Sequence, residues 1–177
     1  MDDYYVSVDF HSNLDVETEF IIYCDVKVTL TNMFTDETTS IGSATLYLIN
    51  TSEQSWNSIF SATDDTSADL SQIVFNLSDI SKTDYIDLIA ILDRIQIDES
   101  FRGKGYGTEA LSEIMKFLQV LKVDYLAVIP FPFEEEDKTS QDGIQKLIRF
   151  YGKFDLEVVK EVSETEYIMG RNFILSR

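Results

Sequence analysis

The chain has 177 residues, 44% of them hydrophobic, which suits one globular domain with a substantial core. A single cysteine (Cys24) and a single histidine (His11) exclude an internal disulfide, a zinc site with several Cys ligands and a His-rich metal site, and they argue against a Ser-His-Asp triad. The net charge of −18 argues against a nucleic-acid or anionic-lipid partner. No apolar run is long enough to cross a bilayer, so we expect no membrane partner and a cytoplasmic location.

The charge is unevenly distributed along the chain. Residues 1–88 contain 16 acidic and two basic side chains, a net charge of −14, whereas residues 89–177 contain 16 acidic and 12 basic side chains, a net charge of −4. The second half is therefore where we expect an anionic ligand to bind.

The first fifty residues predict β-strands. Apolar side chains, including that of Cys24, occupy every even position from Phe20 to Leu30, which is the alternation of a half-buried strand. A turn at residues 35–38 and a second alternating segment at 43–48 complete a predicted antiparallel hairpin, in which Tyr23 and Tyr47 lie on the polar sides. A weaker strand is expected at residues 4–10, with His11 in the polar turn that follows.

The rest of the chain alternates between helical and extended patterns, with no internal repeat. The predicted elements are a helical region at 51–81 with an apolar face at Leu70, Ile73, Val74 and Leu77 and a cap at Thr66 or Ser67, a central strand at 86–97, an amphipathic helix at 111–121, a strand at 125–129, a helix around 144–151 and strands at 156–162 and 167–174. Glu134–Asp137 is interpreted as a solvated acidic loop. These patterns predict one mixed α/β domain over residues 1–177.

The segment Arg102-Gly103-Lys104-Gly105-Tyr106-Gly107-Thr108 lies between a predicted strand and a predicted helix. Three glycines permit positive φ angles and remove side chains, so successive backbone N–H groups can face one ligand. The helix N-terminus adds unpaired N–H groups and the positive end of its dipole, and two bases add formal charge. This combination predicts a phosphate-binding loop rather than a plain chain turn.

Other phosphate and nucleic-acid motifs do not fit this segment. The dinucleotide pattern G-x-G-x-x-G would need a third glycine at Thr108, and the P-loop pattern would need Gly-Lys-Ser/Thr at its end. Lys104–Gly107 matches the first half of an RNA-recognition signature, but Thr108-Glu109-Ala110 lacks the aromatic residues that follow it. The Rossmann, P-loop and RNA-binding interpretations are therefore excluded.

Arg102–Gly107 resembles the R-x-x-G-x-G signature of the GCN5-related N-acetyltransferase superfamily. It follows residues 93–98, which resemble that family's fourth strand. Arg149–Val159 is similar to the family's FYxKxGF passage from helix to strand, with Asp155 and Leu156 in place of the usual Gly and Phe. The resemblance covers residues 86–175, and it extends to residues 1–85 only through the order of the elements.

The resemblance implies a mostly antiparallel central sheet, splayed between its fourth and fifth strands and flanked by helices. It implies that acetyl-CoA binds the second half (86–177), with its pantetheine against the strand backbone at Ile95, Gln96 and Ile97 and its pyrophosphate on Gly103–Thr108. The first half (1–85) would then form the acceptor side. The role of the loop at 130–140 is left open.

Two side chains are candidates for proton transfer to and from the reacting groups. Asp93 falls where some family members have a Glu that takes the proton of the amine; the alternative is a pair with Arg94 or with a backbone N–H. Tyr151 falls at the tyrosine whose hydroxyl faces the CoA sulfur; its helical spacing equally suits a core residue.

The resemblance implies an acetyl-CoA-dependent N-acetyltransferase that acts on a primary amine, with a cationic small molecule or peptide favoured by the acidic first half. The alternative is a catalytically inactive module that binds an acyl-CoA and serves regulation or oligomerisation, and a homodimer is kept as a candidate assembly. A third interpretation is a toxin-like enzyme that acetylates a protein or a charged tRNA, although the net charge argues against tRNA.

Overall fold

The computed structural model describes residues 4–14, 18–78, 86–132 and 140–174. Its strands are β1 (Tyr4–Leu14), β2 (Ile21–Asn32), β3 (Thr38–Asn50), β4 (Leu88–Ile97), β5 (Tyr125–Val128), β6 (Glu157–Ser163) and β7 (Glu166–Asn172). Its helices are α1 (Trp56–Thr66), α2 (Ala68–Ser78), α3 (Tyr106–Val120) and α4 (Gln141–Gly152). The strands form one sheet in the order β1-β2-β3-β4-β5-β7-β6, which confirms the mixed α/β class. The predicted acidic loop at 134–137 lies outside the described residues.

The chain divides into two compact units. The first consists of residues 1–48 and 92–122, and the second of residues 49–91 and 123–177. Strands β3 and β4 each contribute residues to both units.

In the first unit, β1 pairs antiparallel with β2 along its whole length, from Tyr4 opposite Asn32 to Leu14 opposite Ile22. β1 is longer than the strand predicted at 4–10. His11 lies within β1 opposite Asp25, so its predicted place in a turn is wrong. The long partner strand supplies backbone hydrogen bonds to this polar segment, and these hold it extended although its own pattern does not indicate a strand.

Helix α3 covers the apolar face of this strand pair. Val6, Val28 and Leu30 are buried in one cluster with Ala110 of α3, and Phe10 stacks on Phe117 with 3.7 Å between the ring centroids. The predicted alternation is confirmed from Cys24 to Leu30, where the even-numbered apolar residues are buried; at the start of β2 it is wrong, because Ile21 is buried whereas Phe20 and Ile22 are half-buried. Burial, and then the charge of Asp25, raises the pKa of the Cys24 thiol.

Strands β3 and β4 are antiparallel. Asp98 donates its N–H to the carbonyl of Ile41 (2.8 Å) near one end, and Thr51 donates to the carbonyl of Asp87 (2.8 Å) at the other. Between these two bonds the β4 side is one residue longer than the β3 side, so β4 contains a bulge. A side-chain carbon on Gly42 would collide with the carbonyl oxygen of Gln96, so β3 needs a glycine where the two backbones approach each other.

In the second unit, α1 and α2 pack against each other. The Ser55 hydroxyl caps α1 by accepting the N–H of Ser58 (3.1 Å). The predicted apolar face of α2 is confirmed, since residues 70, 73, 74 and 77 are all buried. Ser67 lies between the two helices, donating its N–H to the Thr63 carbonyl and accepting the N–H of Ser71 on its own carbonyl. None of the described helices has the length and apolar character needed to span a membrane.

β5 and β4 begin side by side. Asp124, just before β5, donates its N–H to the carbonyl of Leu88 (2.9 Å), and its carboxylate accepts the N–H groups of Asp87 and Leu88. The two strands run parallel from this point, which is consistent with the predicted splay between the fourth and fifth strands. β5 has four residues and β4 has ten, so β5 cannot accompany β4 to its end.

β7 pairs antiparallel with both β5 and β6. Gly170 of β7 lies beneath the ring of Tyr125, where an added side-chain carbon would collide with the phenol. Burial, together with the charge of Glu157, raises the pKa of Tyr125 to about 12. After α4 the chain turns through Asp155 at a φ of 59°, and Arg171 donates to the neighbouring Phe154 carbonyl (2.8 Å).

Candidate functional site

The glycine segment forms a tight loop between β4 and α3. A single helical turn at Glu99–Phe101 precedes the loop, and α3 begins at Tyr106. The observed loop is therefore shorter than the segment Arg102–Thr108 in which the sequence predicted it. Gly103 and Gly105 have φ angles of 74° and 90°, in the left-handed region that other residues avoid. No atom lies within 4 Å of where a side-chain carbon would stand on either glycine, so the space above both is open.

Consecutive backbone N–H groups of this loop are unpaired. In the described part of the chain, no residue accepts a hydrogen bond from the N–H groups of residues 103–107. The next two N–H groups, those of Thr108 and Glu109, already donate to the carbonyl of Gly105 (2.9 and 3.2 Å). The arrangement offers donors to an anion at the positive end of the α3 dipole.

The two basic side chains of the loop are turned back onto the segment before it. Arg102 donates through Nε to the carbonyl oxygen of Ile97 (2.7 Å), which ties the loop to the end of β4. Lys104 donates through Nζ to the carbonyl of Ser100 (3.2 Å), and the same ammonium lies 5.5 Å from the ring centroid of Phe101. Both side chains are exposed, so their charges remain next to the open space above the glycines.

Ile95, Gln96 and Ile97, the predicted pantetheine-binding strand, form the last part of β4. The side chains of Ile95 and Ile97 pack against the core cluster below α3, as does the ring of Tyr106. Gln96 is exposed, and its carbonyl oxygen faces Gly42 of β3.

Asp93 lies on β4, whose neighbour β3 carries Tyr47 and is followed in the sheet by β2 with Tyr23. Its charge contributes to raising the pKa of both Tyr23 and Tyr47. The largest cause at Tyr23 is its hydrogen bond to Asp25 (2.7 Å), and the largest cause at Tyr47 is burial. The two rings meet edge to face with centroids 5.5 Å apart.

The environment of Tyr47 differs from the prediction. Its side chain is 8% exposed, so it does not lie on an open polar face. Its ring is covered while the adjacent Thr45 is only half-buried. The sequence did not single out Asp25 or Thr45, because polar residues on the outer side of a strand are usually just solvated.

Tyr151 lies in the second unit, near the end of α4. It is 5% exposed, and its ring meets that of Phe150 edge to face with centroids 5.1 Å apart. Burial raises the pKa of Tyr151, so the hydroxyl keeps its proton at neutral pH. No residue in the described ranges is hydrogen-bonded to this hydroxyl, which leaves it able to donate to a ligand.

Comparison with solved structures places this fold. No protein-family model matches the sequence, and no curated protein does so. A mosquito arylalkylamine N-acetyltransferase-like protein, 5b, is similar at a TM-score of 0.50 and 12% identity, over 89% of this chain and 76% of that one. Arabidopsis thaliana NAA60 in complex with a bisubstrate analogue gives 0.49 and 11%, over 85% and 76%. A domain from Methanocaldococcus jannaschii gives 0.48 and 12%, over 85% of this chain and 66% of that one.

At these identities the similarity concerns the fold. The mosquito structure is similar over most of both chains, and the parallel start of β4 and β5 is consistent with the splayed sheet that the family resemblance implied. The chain therefore has the fold of the GCN5-related N-acetyltransferases.

Proposed function

We propose that this protein is an acetyl-CoA-dependent N-acetyltransferase that acetylates a primary amine. The observation that carries the proposal is the run of unpaired N–H groups at residues 103–107, held open by two left-handed glycines at the start of α3. Backbone donors in this arrangement suit a pyrophosphate, because each N–H can bond an oxygen without a side chain intervening. Arg102 and Lys104 add positive charge at the same place.

The rest of the donor site is proposed on β4. Acetyl-CoA supplies the acetyl group as an activated thioester. β5 is too short to pair with the last part of β4, so peptide groups at Ile95 and Ile97 are proposed to bind the pantetheine. The carbonyl of Gln96 faces β3, and the N–H of a strand residue points to the same edge as its carbonyl, so Ile95 and Ile97 rather than Gln96 are the proposed backbone contacts. The Thr108 N–H is already paired, which leaves the Thr108 hydroxyl for the ligand.

Proton transfer is assigned to two residues. An amine must be neutral to attack, and the departing thiolate needs a proton. Asp93 is proposed to take the proton of the substrate ammonium, directly or through water, since a carboxylate can act as a general base. Tyr151 is proposed to donate to the thiolate, because its hydroxyl stays protonated and has no hydrogen-bond partner among the described residues.

The proposed acceptor is a cation. The first 88 residues carry a net charge of −14, and a negative field concentrates cations and repels acidic acceptors. Polyamines, aminoglycosides and Lys-rich peptides belong to this class.

The test combines binding and turnover on the purified chain. We expect acetyl-CoA to raise the melting temperature, as a ligand selective for the folded state does, and a panel of amines to release free CoA. Stabilisation without CoA release from any amine would favour the inactive acyl-CoA-binding module. No stabilisation at millimolar acetyl-CoA would overturn the donor assignment itself.

A further inference from the structure

Two tyrosines and a carboxylate meet on one side of strands β2 and β3, with Asp93 of β4 nearby. The Tyr23 hydroxyl donates to Asp25 Oδ1 (2.7 Å), which fixes both side chains, and the Tyr23 ring meets the edge of Tyr47. All of these residues belong to the first unit.

Asp25 has no counter-charge in this cluster. In the described part of the chain, no Lys, Arg or His forms an ion pair with its carboxylate, although His11 is its cross-strand neighbour on β1. The Asp25 carboxylate is exposed, and the side chain that donates a hydrogen bond to it, Tyr23, is a neutral phenol. Such a cluster attracts a cation from outside the chain.

Tyr47 points to a ligand independently of these charges. More than nine-tenths of its side chain is buried, yet no described residue makes a hydrogen bond with its hydroxyl. Every fully buried side-chain nitrogen or oxygen of the described residues has a partner, so the Tyr47 hydroxyl is the accessible tip of a covered ring. A phenol held in this way presents an oxygen acceptor and a π surface to the same small space.

These features match an organic ammonium ion. A primary ammonium carries three N–H donors, and both the Asp25 carboxylate and the Tyr47 oxygen can accept hydrogen bonds from it. Its alkyl carbons suit the two aromatic rings, which attract cations through their faces. We propose that Tyr23, Asp25 and Tyr47 form the binding site for the ammonium group of a primary alkyl or aralkyl amine. The proposal rests on the proposed function, because that amine would be the acetyl acceptor.

The experiment measures amine binding without acetyl-CoA, so it does not depend on turnover. Isothermal titration compares 2-phenylethylamine with its neutral analogue 2-phenylethanol on the full chain, and on the variants Asp25→Asn and Tyr47→Phe. The matched control is Glu37→Gln, which removes one exposed carboxylate at the β2–β3 turn. Circular dichroism and melting temperature verify that each variant is folded.

We expect the amine to bind and the alcohol to bind at least tenfold more weakly. Losing one hydrogen bond to a charged group costs enough to weaken amine binding by about tenfold to a hundredfold in Asp25→Asn. Tyr47→Phe keeps the ring and should weaken it by about fivefold to tenfold. Glu37→Gln should bind as the parent does. Equal binding of amine and alcohol, or equal effects of Asp25→Asn and Glu37→Gln, would overturn the site.

Turnover separates this inference from the proposed function. If amines release CoA while Asp25→Asn leaves KM for the amine unchanged, the acetyltransferase assignment stands and the ammonium site is wrong. If Asp25→Asn weakens amine binding while no amine releases CoA, the ammonium site stands and the acetyltransferase assignment is wrong. KM for acetyl-CoA should not change in Asp25→Asn, which distinguishes acceptor binding from a general loss of structure.

Discussion

The carbonyl oxygen of Gln96 lies directly against the α-carbon of Gly42, so that β4 meets β3 where a side chain cannot fit. The Cα of Ile97 would stand only 3.0 Å from a side-chain carbon at Gly42. The atoms that would collide with a side chain at Gly42 are backbone atoms of β4, and these cannot move aside as the end of a flexible side chain would. The shape of the β4 bulge therefore depends on a glycine of the neighbouring strand.

Gly42→Ala should destabilise the fold. Forcing a methyl group into a closely packed site typically costs about 1–3 kcal/mol, and here the strained segment includes the proposed pantetheine-binding strand. Urea unfolding gives the loss of stability directly. Gly152→Ala is the control, because Gly152 has open space around it and an ordinary φ angle. Equal stability of Gly42→Ala and the parent would contradict the close approach.

Gly105→Asp should abolish the stabilisation by acetyl-CoA. The substitution places a carboxylate in the open space above the loop, where the pyrophosphate is proposed to bind, and it puts a β-carbon on a residue with a φ of 90°. A thermal-shift titration measures the effect. Gly152→Asp introduces the same charge at an exposed, unstrained glycine, and it should retain the full shift. If Gly105→Asp retained the full thermal shift, acetyl-CoA would not bind at this loop.

Tyr151→Phe tests the proposed proton donor. The ring and its contact with Phe150 remain, so the fold and acetyl-CoA binding should persist. General acid catalysis is typically worth about 10²–10⁴-fold, and we expect kcat to fall by at least the lower value. Steady-state kinetics with the best amine of the panel measures this. Undiminished kcat in a folded Tyr151→Phe would make Tyr151 a core residue only.

Stability should decline at alkaline pH, and Tyr125 should account for part of the decline. An unfolded tyrosine loses its proton near its ordinary pKa of about 10. Burial and Glu157 raise the pKa of Tyr125 in the folded chain to about 12. Between these values the unfolded state binds fewer protons, so stability present below pH 10 is lost as the pH rises. Urea unfolding from pH 8 to 12 measures the slope. Tyr125→Phe should flatten it, whereas exposed Tyr4→Phe should not; equal slopes in both would contradict the assignment.

The kcat/KM for a cationic acceptor should depend on the salt concentration. If the acidic first half attracts a cationic amine, kcat/KM for a polyamine should fall steeply as salt rises from about 50 to about 500 mM, because the Debye length shortens. A monoamine serves as the comparison and should respond less. A flat response for the polyamine, or a preference for acidic amines, would reject the cationic acceptor and leave the acetyltransferase proposal standing.

Local patterns were sufficient for much of the fold. Alternation predicted β2, helical spacing predicted α2 and α3, and glycines beside a helix start predicted the left-handed turns at Gly103 and Gly105. These signals are local because side-chain periodicity and φ preferences act within a few residues. Leu121 was expected in the apolar stripe, but α3 ends before it and leaves it exposed.

Other features depend on distant residues and could not be predicted locally. The length of β1 depends on its pairing with β2, and the bulge in β4 is visible only in its register with β3. Asp155 shows a different limit. It stands where the family motif has glycine, yet the chain keeps the left-handed conformation there (φ 59°), which aspartate tolerates better than most residues. Whether Tyr23, Asp25 and Tyr47 meet likewise depends on how two strands, β2 and β3, are aligned.

The buried thiol of Cys24 can report local opening of the fold around β2. It is the only cysteine in the sequence, it lies on the covered face of β2, and burial keeps it from ionising. A thiol reagent can therefore modify the native protein only when the residues that cover this face of β2 move away from it. The rate at which the thiol is labelled therefore measures how often this part of the chain opens, and no probe has to be introduced. A ligand that binds at the start of α3 and stabilises the folded state should lower the rate of Cys24 labelling.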